Sequence, residues 1–159
     1  MKQNGFTLVE ILVAVLVLSL GLLGVAGMQV MSVKNSNSAY QRAQATQLSY
    51  DIIDRMRANR DEAEKTGSGY VVAFGGSYSA SSACETGNCS PASMATYDIA
   101  NWKTTLAATL PGGDGSVAIN TASKMVTINI RWDDLLVKLV SGEQIQSREP
   151  LTLTFRTEL

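Results

Sequence analysis

Met1-Lys2-Gln3-Asn4-Gly5-Phe6-Thr7-Leu8-Val9-Glu10 opens the chain, and residues 11–33 that follow hold no charged side chain. As a helix at about 1.5 Å per residue, this run reaches roughly 34 Å, enough to cross the hydrocarbon core of a bilayer. A helix that is apolar on every side has no face to give to water, so it belongs in lipid or among other helices. A cleavable secretory signal fits less well. Its apolar core is about 7–15 residues long, although Val25-Ala26-Gly27 mimics its cleavage site. An uncleaved signal anchor accounts for the length and for Lys2 on the cytoplasmic side, but not for Glu10.

Glu10 is the informative position. A carboxylate inside an apolar membrane helix is costly, and such residues are usually functional. Near the end of the span the cost is reduced, but a cationic partner is still needed to offset burial. Cleavage between Gly5 and Phe6 creates one, an amine four residues before Glu10 and on the same helix face. In a stack of staggered helices the carboxylate of one subunit can meet the amine of its neighbour, which fixes a register.

The string Lys2 … Gly5-Phe6-Thr7-Leu8-Val9-Glu10 with its apolar run resembles the class III signal of type IV pilins and pseudopilins. The resemblance implies cleavage after Gly5 by a prepilin peptidase, methylation of Phe6, and Glu10 as the assembly glutamate. It implies a leader at 1–5, a transmembrane and assembly helix at 6–33, and a periplasmic globular domain at 34–159. Many major pilins have a proline midway along this helix. This chain has Gly21, Gly24 and Gly27 instead, each weakening a helix by about 1 kcal/mol relative to alanine while permitting close helix packing.

Beyond Lys34 the helix is expected to continue to about Asn59. Ala45, Leu48, Ile52 and Met56 share one face, and Asp51 with Arg55 and Asp54 with Arg57 stand at ion-pairing spacings. The basic stretch from Arg55 to Arg60 is neutralised by Asp51, Asp54, Asp61 and Glu62. Asn37-Ser38-Ala39-Tyr40, Gln44-Ala45-Thr46-Gln47-Leu48 and Asp54-Arg55-Met56-Arg57-Ala58-Asn59-Arg60 resemble the PilV-type minor pilins, the pilus modification proteins. So do Trp102, Leu110-Pro111-Gly112-Gly113 and Arg131-Trp132-Asp133-Asp134. The resemblance implies the pilin fold, α+β, with the long helix packed on an antiparallel sheet. It also implies a role in priming pilus assembly and in the tip complex, with adhesion and twitching motility as what the filament serves. The implied partners are the major pilin, other minor pilins, a tip adhesin, the prepilin peptidase and the inner-membrane assembly platform. Two alternatives stand beside this reading: a minor pseudopilin of a type II secretion system, and an uncleaved signal-anchored periplasmic domain that binds a ligand or acts as an enzyme.

The rest of the chain is expected to build that domain. A short strand is expected over residues 70–74, then a Ser/Gly-rich loop holding Cys84 and Cys89. In an oxidising compartment a disulfide is the default for this pair. Their spacing is not that of a redox dithiol, and two thiols alone make no structural zinc site. A short helix is expected over 98–110, capped by Asp98, with Ile99, Trp102 and Leu106 on one side and Pro111-Gly112-Gly113-Asp114-Gly115 ending it. Val117 and Ile119 begin a strand and Thr121-Ala122-Ser123 turns it. Val126, Ile128, Ile130 and Trp132 then alternate with Thr127, Asn129 and Arg131, and Leu151, Leu153 and Phe155 repeat the pattern. Both tryptophans read as core, and Asp133-Asp134 as a turn, with too few ligands for calcium.

The 159 residues carry 13 basic and 14 acidic side chains and no histidine. This balance points away from nucleic acid, and the missing histidine removes the commonest general base and metal ligand. No phosphate-binding glycine loop or nucleophile elbow is present. No catalytic residue, metal site or cofactor is therefore expected.

Overall fold

The computed structural model describes residues 7–78, 84–87, 89–140 and 143–159, with residues 135–140 and 143–146 described by their main chain. The chain forms two compact units, Met1–Asn37 and Ser38–Leu159. Helix α1, Leu8–Ala58, runs through both.

In the first unit every described residue of α1 from Leu8 to Val33 is exposed. The segment is long and apolar enough to cross a membrane, and none of its most apolar stretch is buried.

The second unit is an α+β domain in which the rest of α1 packs on a sheet. Gln41, Ala45, Leu48, Ser49, Ile52, Ile53 and Met56 are buried along α1, at the three- and four-residue steps that keep one face inward. The expected Asp51–Arg55 and Asp54–Arg57 pairs form on the outside, at 3.0 and 3.4 Å. After a short α2, Arg60–Ala63, α3 spans Pro91–Thr109. Three strands follow: β1, Asp114–Asn120; β2, Met125–Val140; and β3, Glu143–Glu158. They form one antiparallel sheet in the order β1-β2-β3. Val126, Ile128, Ile130 and Trp132 of β2 face the core, as their alternation requires, with Val117 of β1 beside them and Leu151, Leu153 and Phe155 of β3 partly buried at its margin. Trp102 and Trp132 are both core residues.

Four local expectations need correction. The second helix begins at Pro91 rather than at residue 98. Ser90 is its N-cap, its hydroxyl accepting the Ser93 amide at 3.2 Å, and Pro91 occupies the first turn where no main-chain donor is required. Asp98 is consequently an interior residue of α3, 6% exposed, and caps nothing. Residues 70–74 form no strand: Val72 makes one isolated bridge to Val117, and a turn at Gly75, φ 72°, carries the chain away. Asp133 and Asp134 lie inside β2, opposite Pro150 and Glu149. Asp134 is 2% exposed and accepts a hydrogen bond from the Ser38 hydroxyl at 2.7 Å, which holds the first turn of the packed helix to the strand.

Two glycines set how closely α3 approaches the sheet. A Cβ on Gly113 would collide with the Leu106 carbonyl, and one on Gly115 with the Trp102 ring. Without side chains there, β1 starts directly beneath α3, and Trp102 lies flush against it while its Nε1 donates to the Leu48 carbonyl at 2.9 Å.

Candidate functional site

Glu10 lies in the first turn of α1. The amides of Glu10 and Ile11 both donate to the Thr7 carbonyl, at 3.1 and 3.3 Å, so helical winding begins there. At such an end the unpaired amides and the helix dipole favour a carboxylate by about 0.3–1 kcal/mol. The Glu10 side chain is exposed, and among the described residues no cation pairs with it. Gly5 and Phe6, the expected cleavage and methylation positions, lie outside the described residues. A Cβ added at Gly21, Gly24 or Gly27 meets nothing within 4 Å. The single chain therefore makes no demand for glycine at these positions.

Cys84 and Cys89 are joined by a disulfide, their Cα atoms 4.7 Å apart. The bridge closes directly before Ser90, so the ring is fastened to the capped start of α3.

Two further polar clusters join residues whose pairing the sequence did not disclose, the Asp51–Arg55 pair excepted. In the first, Asp98 accepts from the Tyr70 hydroxyl at 2.7 Å and from Arg55 at 3.1 Å, while Arg55 also donates to Asp51 at 3.0 Å. Three segments far apart in the chain thus meet on one buried carboxylate. Burial and the bond to Asp98 both push the Tyr70 hydroxyl pKa up. Burial works against the Arg55 charge, but Asp51 and Asp98 outweigh it and raise its pKa.

In the second cluster, Asp114 accepts the Gly75 and Gly115 amides, both at 2.8 Å, and pairs with Lys103 at 3.0 Å and Arg131 at 3.1 Å. Lys103 also donates to the Ala73 and Gly76 carbonyls, and the Arg131 guanidinium lies 4.4 Å above the Phe74 ring. Burial alone would raise the Asp114 pKa. The Gly75 amide, Lys103 and the Gly115 amide more than offset it and hold the carboxyl below the usual range. This cluster straps residues 73–76 to the sheet. The only signals in the sequence were the residue types, since the partners are separated in the chain.

These charged groups fasten elements to one another. Among the described residues, no group of three or more His, Cys, Asp or Glu side chains is placed to hold a metal. Among the described residues, most of the exposed large apolar side chains lie on the helix from Leu8 to Val33, which carries one carboxylate, Glu10.

Two family models match the chain. The prokaryotic N-terminal methylation motif covers residues 1–26, and the model described as type IV pilin Tt1218 covers residues 27–100. No curated protein and no solved structure matches it. The first match covers most of the apolar helix, and the second runs on through the packed part of α1 into α3. With one helix among the described residues long and apolar enough to cross a membrane, the matches fit a structural subunit, cut by a prepilin peptidase, anchored in a membrane and later assembled with other pilins. The chain belongs to the type IV pilin-like family.

Proposed function

We propose that the chain is a minor pilin of the PilV type, which takes part in priming pilus assembly and in the tip complex. One observation carries the reading: the helix from Leu8 to Val33 is apolar and exposed on all sides, with a single carboxylate, Glu10, in its first turn. Such a surface needs lipid first and neighbouring helices later. In this account the prepilin peptidase cuts after Gly5 and Phe6 becomes the methylated N-terminus. The domain of residues 34–159 waits in the periplasm, held by the helix of residues 6–33 in the inner membrane. Glu10 then meets the amine of Phe6 on a neighbouring subunit as the helix leaves the bilayer. The sequence features shared with PilV-type proteins support the low-copy role and the major pilin, other minor pilins, a tip adhesin and the assembly platform as partners.

The first test is the intact mass of the protein from membranes and from sheared filaments, with and without the prepilin peptidase. The proposal expects a peptidase-dependent product in the sheared fraction that begins at methylated Phe6. The same product confined to membranes points to a pseudopilus, and an intact Met1 start in both strains overturns the reading. Replacing Glu10→Ala is expected to leave membrane insertion and domain unfolding unchanged while lowering incorporation at least tenfold. Normal incorporation of that variant removes the charge-pairing step.

A further inference from the structure

Among the described residues, β1 carries the Val72↔Val117 bridge on its outer side, while two stretches of strand edge have no strand beside them, and they differ. β1 pairs with β2 only as far as Asp114↔Arg131, whereas β2 continues to Val140 with β3 alone as its partner. Just past the end of β1, the Asp133 amide is taken by the Pro111 carbonyl at 2.8 Å. In a strand, the main-chain N–H and C=O of one residue point the same way, and successive residues alternate. Since Asp133 directs its amide to the β1 side, Leu135, Val137 and Leu139 direct theirs to the same side. Among the described residues no strand lies against them.

The opposite edge belongs to β3. The register sets Asp134 against Glu149 and Asp133 against Pro150. The even-numbered residues of β3 therefore present their main-chain groups outward, and Pro150 is one of them. Its nitrogen has no hydrogen to offer, so the donor row of that edge is interrupted. Proline on an edge strand is a recognised device against strand addition. Just past the end of the same strand, Arg60 donates to the Leu159 carbonyl at 2.6 Å. No proline interrupts β2: residues 135–139 read Leu-Leu-Val-Lys-Leu, a composition that favours strand.

We propose that the unpaired edge of β2 at residues 135–139 is a strand-addition surface, and that its occupant is the same edge of a second copy of this chain. The two strands run antiparallel about a two-fold axis through Val137. The asymmetry of the edges selects this occupant. Pairing the β2 edge of one copy with the β3 edge of the next needs the row that Pro150 interrupts. Pairing β2 with β2 needs nothing else. Residue 135 stands opposite 139 and Val137 opposite itself, so each outward donor meets an acceptor in antiparallel geometry. The contact is isologous and closes on itself, so it stops at a dimer and cannot propagate.

The test uses the full-length protein in membranes, with the Cys84–Cys89 bridge intact. At the axis, the two Val137 Cα atoms come to about 5.5 Å, within reach of a disulfide. Val137→Cys is therefore expected to give a covalent homodimer on mild oxidation, while Thr152→Cys, in the outward row of β3, stays monomeric. In detergent, native mass spectrometry provides a second reading. Val137→Pro removes a donor that no strand among the described residues pairs and is expected to raise the dimer dissociation constant at least tenfold. Thr152→Pro, which removes an outward donor of the other edge, leaves it unchanged. A folded Val137→Cys protein that stays monomeric overturns the proposal. So does equal cross-linking at Thr152→Cys, or capture of only a different polypeptide, which would assign the edge to a non-identical subunit.

Discussion

The two stretches of α1 obey one backbone geometry and opposite solvent rules. Up to Val33 the helix is apolar all round, and Leu16 is 59% exposed. From Ser38 the apolar residues narrow to a stripe, and Ile52 is 0% exposed. The second stretch carries its own partners, because strands and α3 of the same chain cover the stripe. Among the described residues the first carries none, and so apolar a surface calls for lipid or other molecules to cover it. One continuous element thus divides its apolar surface between folding and assembly, and the first charge after Glu10, Lys34, marks where the change begins.

Substitutions of the same kind in the two stretches test that division. Ile52→Ala opens a cavity in the core and is expected to lower the stability of the domain by about 3 kcal/mol. Leu16→Ala removes a comparable volume and is expected to leave the domain's thermal transition unshifted. A matching shift for both, read by calorimetry in detergent, would show that the exposed stretch also stabilises the domain.

Gly115→Ala sharpens the comparison from the sheet side. A Cβ there collides with the Trp102 ring, so the ring and α3 must retreat, at a cost of about 2 kcal/mol. Gly24→Ala, where a Cβ meets nothing within 4 Å, is expected to stabilise the isolated helix slightly. Chemical denaturation distinguishes the two outcomes.

The smallest effect is acid sensitivity. Asp114 has its carboxyl pKa lowered in the fold, so it binds a proton more weakly folded than unfolded. The stability this confers is present above the ordinary value of 3.8 and is lost as pH falls through the lowered one. Asp114→Asn is expected to weaken that pH dependence. The check is to follow unfolding midpoints of both proteins between neutral pH and strong acid. Identical slopes would mean that the strap over residues 73–76 carries no such linkage.

What the sequence disclosed, and what it concealed, divides along range of contact. The apolar run, the buried stripe of α1 and the alternation from Val126 to Trp132 are periodic and local, so each was readable from its own segment. Asp98 was misread as a cap because its partners, Tyr70 and Arg55, lie far away in the chain. The start of α3 was missed inside a Ser-rich stretch, although Ser90-Pro91 is a helix-start signal by its own chemistry. Asp133 and Asp134 looked like a turn because adjacent carboxylates seldom sit inside a strand. The Pro111 carbonyl that accepts the Asp133 amide and the Ser38 hydroxyl that donates to the Asp134 carboxylate are visible only in three dimensions. Of the site itself, Glu10 was legible because a charge among apolar neighbours stands out in one dimension.

The disulfide has one more consequence. Because the Cα atoms of Cys84 and Cys89 are 4.7 Å apart, anything placed between them starts and finishes at nearly the same point. A loop pinned in this way can change length or content with little effect on the elements outside it. Thr86 and Gly87 are exposed within that ring. The ring is therefore a natural graft position, where a short epitope or a dye-binding peptide can follow the subunit from membrane to filament while the core remains unaltered.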